Sequence, residues 1–501
     1  MRTFPSCASW SGAVVGALII AACGHDWDAF DPRGGDTGTG MAGPGGMGPG
    51  AGAAGGSSPG VGGGGQGGEG GTPATGEVLW GRALTDDADD TPPPAVAVDG
   101  SGNVFVAGTF EGELKLDGVV VLTSEGERDA YVLKLDPSGA LLWGRRIGGA
   151  GEQRAYGVAV DSQGGAILTG TYRGELGFET MELDGSMDHD MFLVRMNAAG
   201  EFVCPWTVGG AGEQLGSAVA AHGNDAVVAG MFFNTIELGA GDLTSQGDRD
   251  LFVARLDAQC NEVWSRVAGS ADADYAWSVA VSGAGRVFLG VDSPGVLNLG
   301  SGSPPAAGED DAIVAAFGPD GAPLWTQRYG DADAQWAPRL STDPSGNVIG
   351  AGSLWGRMSV GSTTLESAGG PDIYVFKLDP DGQPQWARRF GDAMDQHAFA
   401  TATDATGAVL VVGGLSGEVD FGGGPLVSAG SRDLLVLKLD RDGNHVWSRH
   451  AGDANFQEGT SVAVDASGHV VVGGGFSGTM VLGQTLVSTS GADAFVARLA
   501  P

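Results

Sequence analysis

The stretch "RDAYVLKLDPSGALLWGRRIGG" (residues 128–149) returns 304 residues later as "RDLLVLKLDRDGNHVWSRHAGD" (residues 432–453). Each copy contains an apolar run, an Asp-x-x-Gly turn and a second run that includes a Trp. Such a pair of copies predicts an internal repeat, and an internal repeat decides the fold before any other argument.

Two landmarks set the period of this repeat. The Asp before the first run recurs in steps of 60 or 61 residues, at Asp129, Asp190, Asp250, Asp311, Asp372, Asp433 and Asp493. The Trp of the second run recurs at Trp80, Trp143, Trp206, Trp264, Trp325, Trp386 and Trp447. The chain therefore holds seven copies of one unit.

Each unit predicts four short strands. In the first complete unit they are residues 94–99, 103–110, 130–136 and 141–146, which are rich in β-branched and aromatic residues. Asp-x-x-Gly motifs lie between the first and second strands and between the third and fourth. Each predicts a turn, because Asp accepts backbone hydrogen bonds and Gly adopts a positive φ. Four-stranded units repeated around an axis predict an all-β, seven-bladed propeller of antiparallel blades.

The phase of the repeat predicts how the ring closes. The region opens with a Trp strand, residues 78–84, that has no preceding partners, and it ends at residues 494–501 with no Trp strand following. We expect the N-terminal strand 78–84 to complete the last blade by pairing with residues 494–499. This arrangement would leave no long open edge for aggregation.

The pattern "VAVD-x-x-GN-V-x-VAG … DA-x-V-x-KLD-x-x-G-x-x-W" resembles the bacterial β-propeller repeat family called SBBP, over residues 77–501. Blade 4 departs from it, because "AVSGAGRVFLG" lacks the Asp. The resemblance implies a secreted or surface protein without an assigned reaction. It therefore supports the fold and leaves the chemistry open.

The N-terminus predicts a lipoprotein signal peptide over residues 1–22. Arg2 precedes a short apolar run, and "Ile20-Ala21-Ala22-Cys23" resembles a lipobox with Cys23 as the lipidated residue. An ordinary secretory signal is the alternative. Residues 23–76 are rich in Gly and predict a disordered tether. We expect an anchored protein of the cell envelope, and Gly24 after the Cys favours the outer membrane over the inner one.

Composition limits the partners. The chain has 26 basic and 61 acidic side chains and a formal net charge of −35. Such a surface repels nucleic acid and anionic lipid, so membrane contact is expected through the anchor alone and the chain is expected to be a monomer. A glycan, a peptide or another protein remain as partners.

Residues repeated in every unit are expected to serve the fold. The Trp side chains would fill the wedge between blades, and the Asp residues would cap backbone amides at the start of the third strand. In the loop that joins the fourth strand to the next unit, one column is nearly constant, with Gln153, Gln214, Gln335, Gln396 and Gln457.

The next column does not repeat: it reads Pro92, Arg154, Leu215, Tyr275, Trp336, His397 and Glu458. We call it the variable column. Where a strict repeat stops repeating, the fold no longer dictates the residue. We therefore predict a ligand-contacting arc of Tyr275, Trp336, His397 and Glu458, extended by Trp355, with ordinary loop variation as the alternative.

Motifs for catalysis and metal binding are few. The lone His222 ends an innermost strand where it would face the central channel, but it is more often a turn residue than a ligand. No metal is predicted; the acidic loops could hold Ca²⁺, yet no twelve-residue calcium loop is present. Cys204 and Cys260 precede the Trp strands of adjacent units: an oxidising compartment favours their pairing, whereas the divergence of outer strands opposes it.

The sequence thus predicts a lipid-anchored binding or scaffold module that is not catalytic and holds its partner on the acidic loop face. The alternative is an extracytoplasmic lyase or hydrolase that uses His397 or His222 with nearby carboxylates. A tight cluster of His and acidic side chains would favour the enzyme, and an open aromatic arc would favour binding.

Overall fold

A computed structural model describes residues 75–88, 90–178, 181–239, 241–302, 304–489 and 491–501. The expected signal peptide, Cys23 and the tether as far as residue 74 lie outside the described residues. Within the described ranges the chain forms strands, turns and bends and no helix. No helix able to cross a membrane is therefore found in this part of the chain.

The strands form seven antiparallel four-stranded blades, which confirms the predicted propeller. We call the strands of a blade a to d, from the innermost to the outermost. In this order, blade 1 consists of Ala95–Val98, Val104–Phe110, Asp129–Leu135 and Leu141–Ile147, and blade 2 of Gly151–Val160, Ala166–Phe178, Asp190–Met196 and Phe202–Val208. Blade 3 consists of Gln214–His222, Asp225–Phe232, Asp250–Leu256 and Glu262–Ala268, and blade 4 of Tyr275–Val281, Val287–Ser293, Asp311–Phe317 and Pro323–Tyr329.

Blades 5 and 6 consist of Arg339–Thr342, Val348–Leu354, Asp372–Leu378 and Pro384–Phe390, and of Gln396–Thr403, Val409–Leu415, Asp433–Leu439 and His445–Ala451. Blade 7 takes its strands from both ends of the described chain: Gln457–Val464, Val470–Phe476, Asp493–Leu499 and, as strand d, Val78–Thr85. Strand d pairs antiparallel with strand c, with Val78 opposite Leu499 and Leu84 opposite Ala494. The predicted closure is confirmed.

The a strands form an inner ring around a channel, which contains a cavity of about 190 Å³ lined by side chains from all seven blades. Tyr156, Trp277, Arg339 and Phe399 are the large side chains of its wall. We call the face that carries the d–a and b–c connections the upper face. The face that carries the a–b and c–d turns is the lower face.

Short outer strands form a feature that the sequence reading did not predict. The b–c connections of five blades each fold into a hairpin: Glu113–Leu116 with Val119–Thr123, Thr235–Leu238 with Gly241–Thr244, Arg357–Val360 with Thr363–Glu366, Glu418–Asp420 with Pro425–Val427, and Thr479–Leu482 with Gln484–Val487. In blade 2 the long b strand itself pairs with Met181–Asp184. The buried leucines Leu114 and Leu116 of the first hairpin pack in one cluster with Trp80, so the hairpins help to fill the wedge between blades.

The repeated Trp side chains lie between blades, as predicted. The indole N–H of Trp80 donates to the Pro137 carbonyl of the next blade at 3.0 Å, and that of Trp264 donates to Pro319 at 3.0 Å. The turn glycine Gly139 has a φ of 81°, and its equivalents Gly200, Gly321, Gly382 and Gly443 have values between 76° and 82°. Gly139 lies under the Trp80 ring, where a Cβ would come within 2.9 Å of the ring. The turn therefore needs Gly both for its backbone conformation and for this contact.

Blade 3 replaces that glycine by Cys260, whose φ is 62°. Cys260 forms a disulfide with Cys204 of strand d in blade 2, with their Cα atoms 6.1 Å apart. The objection that outer strands diverge does not apply, because Cys260 lies in a c–d turn that reaches back to the preceding blade. The disulfide joins two blades where a Trp–Gly contact joins others.

The repeated Asp residues are buried and cap the backbone, as expected. One carboxylate oxygen of Asp129 accepts the N–H of Glu125 at 2.7 Å, and the same contact recurs from Ser186 to Asp190, Gln246 to Asp250, Ala307 to Asp311, Ala368 to Asp372, Ala429 to Asp433 and Thr489 to Asp493. These residues hold the b–c connection against strand c in every blade.

Buried ion pairs repeat at the lower face. A Lys or Arg of strand c pairs with the Asp of the a–b turn: Lys134 with Asp99, Lys377 with Asp343, Lys438 with Asp404 and Arg498 with Asp465. In blade 4 both partners are replaced, because Ser282 and Ala316 occupy the two positions.

Candidate binding site at the upper face

The nearly constant Gln column is structural. Gln396 is fully buried, and its side-chain amide donates to the Ser416 carbonyl at 2.7 Å and to Asp392 at 2.8 Å. Gln335 and Gln457 make equivalent bonds. These side chains tie the d–a loop to the b–c connection of the same blade.

Part of the acidity of the d–a loops is structural as well. Asp331 accepts the backbone N–H of Asp333 at 2.9 Å and that of Arg357 at 2.8 Å. Asp392 and Asp453 cap their own loops and hairpins in the same way. These carboxylates are committed to backbone amides.

Three of the predicted arc residues form one aromatic cluster. Trp336 stacks on His397 with ring centroids 5.2 Å apart and meets Trp355 edge-on at 5.1 Å, and Trp355 lies 6.3 Å from His397. Trp336 is the most exposed of them, at 37%. The Tyr374 hydroxyl donates to the Trp336 carbonyl at 2.6 Å and fixes its backbone. The cluster presents a rigid aromatic surface on the upper face.

His397 supports this cluster from below. It is only 5% exposed, stacks on Phe399 at 5.6 Å, and its Nδ1 lies 3.1 Å from the Ser353 hydroxyl. Burial, with a smaller contribution from the charge of Arg432, lowers the pKa of His397 to about 3. The imidazole is therefore neutral at physiological pH.

Glu458 and Tyr275 lie at the two ends of the arc and already have partners. Glu458 is fully buried and pairs with Arg432 at 3.0 Å. Tyr275 stacks on Trp277 at 5.7 Å, and the Arg249 guanidinium lies over its ring at 5.0 Å. Of the five predicted residues, Trp336 and Trp355 are thus the ones placed for direct contact with a ligand.

Two acidic residues that the sequence reading missed lie beside this surface. Asp292, 6% exposed, accepts the Trp277 indole N–H at 3.0 Å and the Ala337 amide at 3.3 Å. Burial, and then the negative charge of Asp310, raise the pKa of Asp292 to about 7. Burial and the charges of Glu309 and Asp311 also raise the pKa of Asp310.

His222 does not belong to this site. At the lower face its Nδ1 lies 3.0 Å from the Arg255 guanidinium, and its Nε2 lies 3.4 Å from the Gly283 carbonyl of blade 4. It is directed towards strand c and the neighbouring blade, and so the expectation that it faces the channel is wrong. The position normally holds the Asp of the lower-face ion pair, and Asp225 pairs with Arg255 instead, at 2.8 Å.

A second missed group contains His189. Its Nε2 lies 3.3 Å from Glu152 and its Nδ1 3.6 Å from Glu213, and Arg154 pairs with Glu152 at 2.6 Å. Burial opposes ionisation of Glu152, but the His189 hydrogen bond and the Arg154 charge outweigh it and lower its pKa to about 2. Glu152 thus has basic partners in both His189 and Arg154. Among the described residues, no group of His, Cys, Asp and Glu side chains is arranged to hold a metal ion.

Comparisons with known proteins give distant similarities. No family model matches the chain. The regulatory protein FlaEY of Caulobacter vibrioides is 24% identical over 392 residues, which cover 72% of this chain and 40% of that protein. An uncharacterised WD repeat-containing protein of Acanthamoeba polyphaga mimivirus is 25% identical over 186 residues, or 32% of this chain and 13% of that one. The chain spans less than half the length of these curated relatives.

Solved structures resemble the chain at low sequence identity. A chain of the mitotic checkpoint complex has a TM-score of 0.45 and 9% identity, covering 87% of this chain and 96% of its own length. The WD40 β-propeller domain of Doa1 has a TM-score of 0.42 and 11% identity, with coverages of 84% and 97%. Because these scores are below 0.5, the fold assignment rests on the strand pairing described above.

Proposed function

We propose that this chain is a non-catalytic binding module that holds a protein or peptide partner on the upper face of the propeller. The observation that carries the proposal is the cluster of Trp336, Trp355 and His397, which opens to solvent at the column where the repeat stops. Elsewhere in that column the side chains of Leu215 and Glu458 are buried.

The geometry favours recognition for a physical reason. An exposed Trp whose backbone and ring are already fixed loses little conformational entropy when a partner covers it, and it offers a large contact area. Trp336 meets both conditions, because Tyr374 holds its carbonyl and His397 holds one face of its ring. The neutral state of His397 also suits packing better than acid–base chemistry.

The proposal can be tested with peptide and glycan arrays probed with the purified chain. We expect peptide ligands whose signal falls at least about tenfold for Trp336→Leu, which is the loss of one aromatic hot spot. The matched control is Val263→Ala, which changes an exposed apolar residue on strand d of blade 3. Equal binding by Trp336→Leu and Val263→Ala would overturn the proposal. If all the ligands found are glycans, the partner is a glycan and not a protein or peptide.

The proposal includes a location outside the cytoplasm, on a lipid attached to Cys23, in an SBBP-type lipoprotein. The lipobox-like sequence and the Gly-rich segment support it. In a bacterial host fed an alkyne-tagged fatty acid, the chain should take up the label and fractionate with membranes. Cys23→Ala should lose both properties, and unlabelled, soluble wild-type chain would contradict this part of the proposal.

A further inference from the structure

Four blades place a basic side chain at one position of the upper face. The residue just before the repeated Asp of strand c is Arg128, His189, Arg249 and Arg432 in blades 1, 2, 3 and 6. Its backbone carbonyl accepts an N–H from the residue at the Gln-column position of the next blade, as in Asp274 to Arg249 (2.9 Å) and Gln457 to Arg432 (2.8 Å). These equivalent backbone bonds place each basic side chain beside the variable column of the following blade.

Two of these cations show what the position does. The guanidinium of Arg249 lies between the Phe233 ring, at 4.2 Å, and the Tyr275 ring, at 5.0 Å. Arg432 lies over Phe456 at 5.5 Å and pairs with Glu458 at 3.0 Å. In both cases the guanidinium lies between an aromatic ring and a side chain of the variable column, Tyr275 or Glu458.

At the border of blades 4 and 5 the same position holds Asp310. Its carbonyl accepts the Gln335 N–H at 2.7 Å, so its backbone is equivalent to those of Arg249 and Arg432. The residue that follows Gln335 is Trp336, which is 37% exposed and whose ring is stacked on His397 on one side. The repeat thus places a carboxylate where it elsewhere places the cation that accompanies an aromatic ring.

A second carboxyl group, that of Asp292, lies near Asp310. Asp292 occupies the b-strand position that holds Ser353 in blade 5 and Gly414 in blade 6, and it contacts the backbone N–H of Ala337, next to Trp336. Glu309 also lies near Asp310, and Arg339 is the positive charge near Asp292. No ion pair within 4 Å joins either Asp292 or Asp310 to a cation of the described chain.

We propose that the open face of Trp336, together with Asp310 and Asp292, binds a cationic side chain of the partner, an Arg or Lys that takes the place held by Arg249 at the preceding border. This inference rests on the proposed function and names the chemistry of its ligand. An organic cation fits better than a metal ion, because an aromatic face attracts it whereas Ca²⁺ needs six or more oxygen ligands. The net charge of −35 draws such a partner to the surface.

Saturation-transfer difference NMR on the full chain tests the inference, with the peptide Gly-Gly-Arg-Gly-Gly, blocked at both ends, as the probe. Its counterpart with citrulline has the same shape without the charge. We expect the citrulline peptide to bind about tenfold more weakly and Asp310→Asn to weaken the Arg peptide about fivefold. Trp336→Phe should keep more of the affinity than Trp336→Leu, because Phe retains an aromatic face.

The control for charge is Asp242→Asn, which removes one exposed carboxylate from the outer hairpin of blade 3. It should leave the affinity of the Arg peptide within about twofold, apart from the small change in net charge. Equal binding of the Arg and citrulline peptides, or equal effects of Asp310→Asn and Asp242→Asn, would overturn the inference. So would displacement of the Arg peptide by Ca²⁺ but not by guanidinium.

The two proposals fail in different ways. If array ligands depend on Trp336 but not on a positive charge, the binding module stands and the cation inference is wrong. If no ligand depends on Trp336, both are wrong.

Discussion

Blade 4 departs from the repeat at both faces, and the two departures have opposite electrostatic consequences. At the lower face Ser282 and Ala316 replace both members of the Asp–Lys pair, so that no buried charge is left without its partner. At the upper face Asp310 replaces a cation and Asp292 adds a second acid beside it. The first change removes two charges that cancel, and the second brings two like charges together.

The comparison distinguishes a neutral loss of an ion pair at the lower face from a candidate binding site at the upper face. Replacing both members of a buried pair is often nearly neutral, whereas leaving one member alone is strongly destabilising. Burial is the largest cause of the raised pKa of both Asp292 and Asp310; the charge of Asp310 adds to it at Asp292, and the charges of Glu309 and Asp311 add to it at Asp310. An arrangement that is unfavourable for the fold alone calls for a functional explanation, and the exposed Trp336 beside it provides one.

The largest effect is expected from breaking the lower-face pair in blade 6. Lys438→Ala leaves the buried Asp404 without its cation and should lower the free energy of unfolding by about 3 kcal/mol. The double variant Lys438→Ala, Asp404→Ser reproduces blade 4 and should be more stable than the single variant. Urea unfolding of both measures this. A double variant less stable than Lys438→Ala would refute the reading of blade 4 as a neutral loss.

An intermediate effect is expected at the border of blades 3 and 4. Arg249→Leu removes the cation between Phe233 and Tyr275 and should lower the free energy of unfolding by about 2 kcal/mol, through lost cation–π contacts and lost packing. Asp310→Asn, at the equivalent position of the next border, should instead raise it slightly. If both substitutions change stability in the same direction, the two borders do not differ as described.

The last effect is a dependence of stability on pH. The pKa of Asp292 is raised to about 7, so the folded chain keeps a proton that the unfolded chain releases near pH 4. Stability should therefore fall between about pH 4 and pH 7, and Asp292→Asn should be spared this loss. The Tm difference between the variant and the wild type should grow over that interval and then stay constant at a few degrees. A constant difference would show that Asp292 titrates normally, and Asp242→Asn serves as the control.

Much of the architecture was accessible from the sequence, because Asp129, Trp80 and their equivalents recur at a fixed period and the half-units at the two ends complement each other. The hairpins were missed, although "LDG" at residues 116–118 is a strong hairpin signal: Asp117 and Gly118 both adopt a positive φ.

The site was predicted only in part, for reasons of distance along the chain. The residue type of the variable column identified Trp336, but the burial of Glu458 depends on Arg432, which is 26 residues away and belongs to another blade. The proximity of Asp292 and Asp310 likewise becomes apparent only when strands b and c lie side by side. Comparing the column just before the repeated Asp would have shown the exchange of a cation for Asp310.

The central claim is that repeated positions build the propeller and irregular positions recognise the partner. The most direct test measures array-ligand affinity and the urea midpoint in parallel for Gln396→Ala, from the constant column, and Trp336→Leu, from the variable one. Gln396→Ala should cost about 2 kcal/mol of stability and leave affinity unchanged; Trp336→Leu should keep stability within about 0.5 kcal/mol and lose the ligand. Loss of affinity in Gln396→Ala with full stability, or unfolding of Trp336→Leu with affinity retained by the folded fraction, would contradict the account.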